Sequence, residues 1–189
     1  MCDAGAMRLL LVLTLLAAAC ATTSPTGSSA TGHAADYYPL AVGNTWTYRA
    51  ADHEQTIAIV EKGADGFYVD NLGGHFAPRA DGVFDGQRFL LQEPLVVEHS
   101  WVAMPRGQPR ESYRISAVDA VVTVPAGTFN DCIQVDTEQV VSDGKLLVTW
   151  SYAKGVGMVK MEQRHQQGSS PPQAGVVVEL LSFKAGAAP

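Results

Sequence analysis

The chain has 189 residues, of which 47% are hydrophobic, so it can bury the core of one globular domain with a tail. Its 13 Lys and Arg residues stand against 19 Asp and Glu residues, which gives a formal net charge of −6. No basic stripe is present to follow a phosphate backbone, which argues against nucleic acid as a partner.

The first segment of the chain has the pattern of an export signal. Arg8 is followed by the apolar run LLLVLTLL and then by the small residues of AAAC. This run is much shorter than the roughly 20 apolar residues that a membrane-spanning helix needs, so we expect a leader and not a span. Asp3 is unusual in a leader, whereas a start at Met7 gives MRLLLVLTLLAAAC directly, which makes Met7 the favoured translation start.

The segment LLAAAC resembles the lipobox of bacterial lipoproteins, in which small residues precede a cysteine that receives a lipid. The resemblance implies that residues 1–19 are a signal peptide and that cleavage falls between Ala19 and Cys20. Cys20 would then carry acyl chains such as palmitate and anchor the protein to a membrane. Ala17 stands where Leu is commoner in the lipobox, and Ala21 implies, by analogy with enterobacterial sorting, the outer membrane of the cell envelope.

The composition then divides the rest of the chain. Residues 20–35 are small and polar, so they are predicted to be the lipidated cysteine and a flexible linker. A β-rich extracytoplasmic domain is predicted at 36–185, with a tail at 186–189. Cys132 is the one cysteine within 36–185, so no disulfide is expected inside the domain.

The domain consists of short strand-like runs separated by turn signals such as Asp65-Gly66. In CIQVDTEQVV, Ile133 and Val135 alternate with polar residues, which is typical of a half-buried strand, and this alternation puts Cys132 on the polar face. A hairpin is predicted around the SDGK turn, at 141–146. Strands are predicted at 57–59, 67–71, 87–92, 113–118, 121–124, 133–141, 146–152, 158–163 and 176–183.

So many strands close together in sequence predict a mainly β fold with a single antiparallel, meandering sheet. Such a sheet must cover one of its faces, so we expect it to curl into a half-barrel or a barrel. The sequence leaves open whether the sheet closes.

An internal repeat connects two tryptophans. PLAVGNTW at 39–46 aligns without gaps to PLVVEHSW at 94–101, which suggests internal duplication of a strand-turn unit. In each copy the tryptophan is predicted to begin a strand with its ring buried. The aromatic residues assigned to the structural core are Trp46, Tyr48, Trp101, Phe129, Trp150 and Tyr152.

Three segments, YYPLAVGNTWTY, VPAGTFNDCIQV and SYAKGVGMVKME, resemble the PLxxGNxWxY, PAGTF and YxxGVGxVK segments of a family of uncharacterised bacterial lipoproteins and secreted proteins. The resemblance covers 37–183. It implies an extracytoplasmic β-rich domain and supplies no catalytic residues. Lys154 stands where many relatives have Pro.

Candidate catalytic side chains are scattered through the sequence: His53, His75, His99, His165 and Cys132. The acidic neighbours Glu54 and Glu98 would point to the opposite face of a strand from the adjacent histidines. No Cys or His spacing typical of a metal site is present. We therefore predict a protein without enzymatic activity, metal or cofactor.

Two classes of function remain open. The first is a membrane-anchored, non-catalytic binding or scaffold domain of the cell envelope, which would contact another envelope protein. The alternative is a periplasmic carrier that holds a lipid or another apolar ligand in its curled sheet. The segment 176–181 favours the carrier, because it is apolar on both strand faces.

Overall fold

The computed structural model describes residues 28–186. The predicted signal peptide, Cys20 and the end of the predicted tail therefore lie outside the described residues. A short 3-10 helix, Ala34–Tyr37, precedes twelve strands. The strands are β1 Thr45–Ala50, β2 His53–Lys62, β3 Tyr68–Asp70, β4 His75–Arg79, β5 Gly82–Phe84, β6 Phe89–Gln92, β7 Ser100–Ala103, β8 Glu111–Val124, β9 Gly127–Val141, β10 Gly144–Ala153, β11 Gly157–Gln166 and β12 Gln173–Lys184. Within 28–186, no helix has the length and apolar content needed to cross a membrane.

All twelve strands belong to one antiparallel sheet with the order β6-β5-β4-β3-β2-β1-β12-β11-β10-β9-β8-β7. Because β1 pairs with β12, the sheet consists of two six-stranded meanders joined side by side. The sheet curls into a nearly closed barrel with one unsealed seam, and β6 and β7 are its two edge strands. The predicted fold class is confirmed.

The predicted hairpin around SDGK is present, since Val141 pairs with Gly144 and the two flanking strands pair in register. The segments 113–118 and 121–124 form one strand, β8, which stays paired with β9 through three register shifts. These bulges let a long hairpin bend without ending. Strands β4 and β5 were not predicted from the sequence, because they are short and β4 contains Pro78.

The turns that precede the two tryptophans in the two copies of the repeat share a backbone hydrogen bond and a backbone conformation. Gly43 N donates to Ile59 O at 2.8 Å, and the equivalent Glu98 N donates to Ile115 O at 2.9 Å. Gly43 and Glu98 also share a left-handed backbone, with φ of 91° and 72°. A non-glycine residue seldom adopts this conformation, so its recurrence at aligned positions is what internal duplication predicts.

The segment before β1 packs against the sheet. Ala30 N donates to Leu95 O at 2.8 Å, and Ala34 N donates to Glu93 Oε1 at 2.9 Å. Ala34 and Tyr37 are each 1% exposed. Residues 28–35, which sequence analysis assigned to the linker, therefore contact the folded domain, because their backbone hydrogen bonds and small side chains fit the turn that follows β6.

The hairpin of β8 and β9 closes one part of the core. Its outer half buries Val122 and Val124 in a cluster with Trp46 and Leu180, and Ala126 N donates to Leu180 O at 3.0 Å. A second cluster includes Tyr37, Leu91, Ile115, Ile133 and Tyr152. The two clusters form the hydrophobic core, which lies where the 3-10 helix and the long hairpin pack against the other strands.

The predicted position of Cys132 on a polar face is wrong. Cys132 is fully buried in the cluster around Trp46, and the preceding Asp131 has a φ of 52°, which breaks the alternation of faces. Burial, with a smaller contribution from Asp131, raises the pKa of the Cys132 thiol from 9.0 to about 11. Raising the pKa by two units lowers the thiolate fraction at neutral pH about a hundredfold relative to an ordinary cysteine. Cys132 is therefore a packing residue and a poor nucleophile.

Candidate functional site

The curled sheet encloses a cavity of about 970 Å³. This volume lies at the upper end of the roughly 300–1,000 Å³ found for small-molecule sites. Aliphatic and thioether side chains form part of the wall, among them Ile57, Val148, Met158 and Met161. Eight aromatic rings also line it: Tyr38, Trp46, Tyr48, Phe67, Phe76, Tyr113, Trp150 and Tyr152.

The cavity opens on the side of the short strands. The exposed residues among those that line it are Asp65, Gly73, His75, Gly86 and Gln87. All five lie between β2 and β6, whereas the lining residues of the long strands β8 to β11 are buried or half-buried. A ligand would therefore enter past the short strands, where Gly73 and Gly86 have no side chain to obstruct the opening.

A network of ionic and polar groups lies inside the wall, near the seam. Arg88 Nη1 donates to both carboxylate oxygens of Glu111, at 2.5 and 2.7 Å, and Arg88 Nε donates to Asp85 Oδ2 at 3.0 Å. The Tyr113 hydroxyl also donates to Glu111, and Gln139 Nε2 does so at 3.4 Å. The Glu111 side chain is only 8% exposed, so a full set of donors compensates for its burial.

Two tyrosine hydroxyls face the cavity without a partner. Tyr152 is 3% exposed, Tyr38 is half-buried beside it, and neither hydroxyl makes a hydrogen bond to any residue within 28–186. Burial raises the pKa of both hydroxyls above the ordinary value, and the nearby Asp70 and Asp85 raise that of Tyr38 further. Both groups are therefore neutral at physiological pH and free to hydrogen-bond a ligand.

The two repeat tryptophans are buried, and each indole donates to a main-chain carbonyl. Trp46 is 6% exposed, and its Nε1 donates to Val156 O at 2.6 Å. Trp101 is 8% exposed, and its Nε1 donates to Phe89 O at 3.0 Å, across the seam. Both rings are thus fixed in position, although one edge of Trp46 also reaches the cavity.

The other aromatic residues assigned to the core differ in their surroundings. Tyr48 and Tyr152 are buried, and Tyr48 donates to Met158 O at 2.9 Å. Phe129 is half-buried against the cluster around Trp46. Trp150 is half-buried, lines the cavity and donates through Nε1 to Thr137 Oγ1 at 3.2 Å. Trp150 and Tyr152 therefore belong to the cavity wall as well as to the packing of the sheet.

The histidines are not assembled into a catalytic group within the described part of the chain. His75 lies at the cavity rim beside Phe67, His165 is 3.4 Å from Asp143, and His53 is exposed. His99 stacks on Trp101, and its Nε2 is buried without a hydrogen-bond partner. Residues 28–186 contain no group of three or more His, Cys, Asp or Glu side chains placed to hold a metal ion.

Sequence reasoning missed Arg88 and Glu111. Their contact joins two segments on opposite sides of the seam, which no local pattern reveals. One signal was available in the sequence. Glu111, Tyr113 and Ile115 are alternate residues of β8, so they lie on the same buried face of the strand. An acidic residue on the apolar face of a strand is rare without a buried partner.

Comparisons with known proteins show similarity to two solved structures. No protein-family model matches the sequence, and no curated protein matches it. One similar structure is described as a "putative lipoprotein" from Parabacteroides distasonis, with 14% identity, a TM-score of 0.38, and coverage of 78% of this chain and 98% of that one. The other is an exported protein with a YmcC-like fold, also described as "putative", from Bacteroides fragilis; it has 13% identity, a TM-score of 0.41 and the same coverage.

Proposed function

We propose that this chain is a non-catalytic binding protein of the bacterial cell envelope that holds an apolar ligand inside its curled sheet. The cavity of about 970 Å³ carries this proposal. Its aromatic and aliphatic walls offer the dispersion and desolvation energy that small-molecule sites use, and a few polar groups converge at one side.

The cavity favours the carrier over a plain scaffold domain. A domain that serves only as a scaffold gains stability by filling its interior, because empty apolar volume lowers stability. Here the free hydroxyl of the buried Tyr152 and the half-buried Trp150 face open space. A ligand that fills the cavity would supply the contacts that the side chains leave unmade.

The N-terminal sequence supports a place in the cell envelope. Its apolar run, its small residues and Cys20 match the requirements of export followed by lipid attachment. A lipid on Cys20 would hold the binding domain close to a membrane, which is a source of apolar ligands. The outer membrane is the proposed location, on the basis of Ala21.

Lipid attachment can be tested by metabolic labelling with a palmitate analogue in a bacterial host. The unchanged chain should be labelled, and Cys20→Ser should abolish labelling, because the acceptor thiol is lost. Cys132→Ser is the matched control, because it removes a thiol that is present with either translation start, and it should be labelled like the unchanged chain. Equal labelling of Cys20→Ser and Cys132→Ser would contradict the proposed anchor.

Filling the cavity should prevent binding. Met161 is half-buried and lines the cavity, so Met161→Trp is expected to weaken binding of Nile red, a neutral apolar dye, by at least about tenfold. The measurement is a fluorescence titration of the full chain carrying Cys20→Ser. Met104→Trp adds the same ring at a residue that is 75% exposed and should leave the affinity unchanged.

The dye titration can also contradict the proposal. If the unchanged chain does not bind Nile red, the cavity is not an apolar site. If Met161→Trp and Met104→Trp bind the dye equally, the dye binds elsewhere. Urea unfolding of both variants shows whether a loss of binding follows from a loss of folding.

A further inference from the structure

We propose that the ligand of this cavity carries a cationic group, such as an amine or a quaternary ammonium, on an apolar body. This inference rests on the proposed function and specifies the chemical class of the ligand. It follows from the mainly negative charges in the cavity wall, from the pairing of Arg88 with two carboxylates, and from side chains in the cavity that lack a hydrogen-bond partner within the described residues.

The ionic groups that line the cavity are mostly acidic. Four carboxylates line it, from Asp65, Asp70, Asp85 and Glu111, whereas Arg88 supplies the single guanidinium. Charges act over a longer range between low-dielectric walls than in water, so this excess of negative charge favours a cation inside and disfavours an anion.

Arg88 is a poor anion receptor, because two of its three guanidinium nitrogens already donate to carboxylates. Its Nη1 is held by both oxygens of Glu111, and its Nε is held by Asp85. Two carboxylates thus surround one guanidinium, and the net charge of this group is −1. An incoming carboxylate or sulfate would find only the third nitrogen, Nη2, without a partner in the described part of the chain, and there it would lie next to the negative charge of Asp85 and Glu111.

Asp70 offers an uncommitted carboxylate oxygen. The residue is 6% exposed, and its Oδ1 accepts hydrogen bonds from Leu72 N at 2.8 Å and Gly74 N at 2.7 Å. Its Oδ2 has no hydrogen-bond donor within residues 28–186, although Asp70 lines the cavity. A buried carboxylate with one free oxygen is a site for a cation or for a strong donor.

The aromatic wall supplies a second, independent reason. The hydroxyl of Tyr152 lacks a partner although the residue is 3% exposed, so it can accept a hydrogen bond from an ammonium group. The rings of Tyr38 and Trp150 line the same space, and an ammonium group that meets the face of such a ring is attracted by its quadrupole. Aromatic rings together with a carboxylate can replace part of the hydration shell that a quaternary ammonium loses.

The charge preference can be measured with amphiphiles of equal chain length. Dodecyltrimethylammonium, dodecyl sulfate and a neutral dodecyl ethylene-glycol ether would compete with Nile red on the full chain carrying Cys20→Ser, below their micellar concentrations. The cationic compound should displace the dye at about tenfold lower concentration than the anionic one, since one ionic contact or cation–π contact contributes on that order. Tighter binding of dodecyl sulfate, or equal binding of all three, would overturn the inference.

The net charge of −6 could attract any cation to the surface, so matched variants are needed. Asp70→Asn removes one negative charge from the cavity and keeps the Oδ1 acceptor, and it should weaken the cationic competitor about tenfold while leaving the neutral one unchanged. Asp119→Asn removes the same charge from an exposed residue and should change neither. Equal effects of the two variants would mean surface attraction and would overturn the inference.

Two further controls keep the test decisive. Should Asp70→Asn fail to fold, Asp65→Asn at the exposed rim replaces it and should weaken the cationic competitor alone, by a few-fold. Raising the salt concentration should weaken a surface effect much more than binding inside the cavity. If Nile red itself does not bind, the proposed function fails; if the dye binds and the cation has no advantage, only this inference fails.

Discussion

Trp46→Ala should lower the free energy of unfolding by about 3–5 kcal/mol, the range for removing a large buried aromatic ring. The ring is 6% exposed and stacks on Phe183 with centroids 5.4 Å apart. Its indole also donates to Val156 O at 2.6 Å, which joins β1 to the turn before β11. The variant therefore loses packing and leaves a main-chain carbonyl without its donor. Urea unfolding, followed by circular dichroism, measures the change.

Two comparison variants separate these contributions. Trp46→Phe keeps a ring against Phe183 but removes the donor to Val156, so it should cost about 1–3 kcal/mol. Met104→Ala, at a residue that is 75% exposed, should change stability by no more than about 0.5 kcal/mol. If Trp46→Ala unfolded like the unchanged chain and lost only ligand binding, Trp46 would belong to the ligand site and not to the core.

The features that sequence reasoning predicted are those set by local chemistry. The hairpin at Asp143-Gly144 needs only a turn signal between two runs of alternating residues, and it is present. The buried tryptophans follow from the repeat, because each copy places an aromatic ring after a turn with a left-handed residue. Such patterns are contained within about ten residues.

The cavity could not be predicted in this way. Its wall takes Tyr38 from the segment before β1, Ile57 from β2, Arg88 from the turn before β6 and Glu111 from β8. These residues meet only because β1 pairs with β12 and curls the sheet on itself. The apolar segment at 176–181 favoured a carrier from sequence, yet Val176 and Val177 are 46% and 38% exposed, and the residues that line the cavity come from other parts of the chain.

The prediction for Cys132 failed for a related reason. A strict alternation of faces assumes a regular strand, whereas β8 and β9 shift register three times along their length. Each shift reverses the face of the residues that follow it on one strand. The positive φ of Asp131 puts Cys132 and Ile133, which are neighbours in sequence, both into buried positions.

The contact between Arg88 and Glu111 gives the second large effect, because it crosses the seam. β6 and β7 end the sheet order, so side chains take the place of a backbone ladder between them. The bonds that cross are Arg88 to Glu111, Trp101 to Phe89 O, and Arg106 N to Gln87 Oε1 at 3.0 Å. Among these three contacts, the ion pair differs because removing Glu111 or Arg88 leaves the other charge without that partner in a largely buried position.

Glu111→Ala should therefore lower the free energy of unfolding by about 3 kcal/mol, the lower end of the range for breaking a buried ion pair, since Arg88 keeps Asp85 and is 31% exposed. Amide hydrogen exchange should rise first in β6, because that edge strand loses its main attachment across the seam.

Glu138→Ala is the matched control. It breaks an ion pair with Lys145 of 2.9 Å in which both side chains are more than 40% exposed, and it should cost less than about 1 kcal/mol. The double variant Glu111→Leu with Arg88→Leu should recover most of the loss, because apolar replacement of a whole buried pair is often neutral. Equal costs for Glu111→Ala and Glu138→Ala would show that the ion pair does not hold the seam, which would then depend on packing and on the two remaining hydrogen bonds.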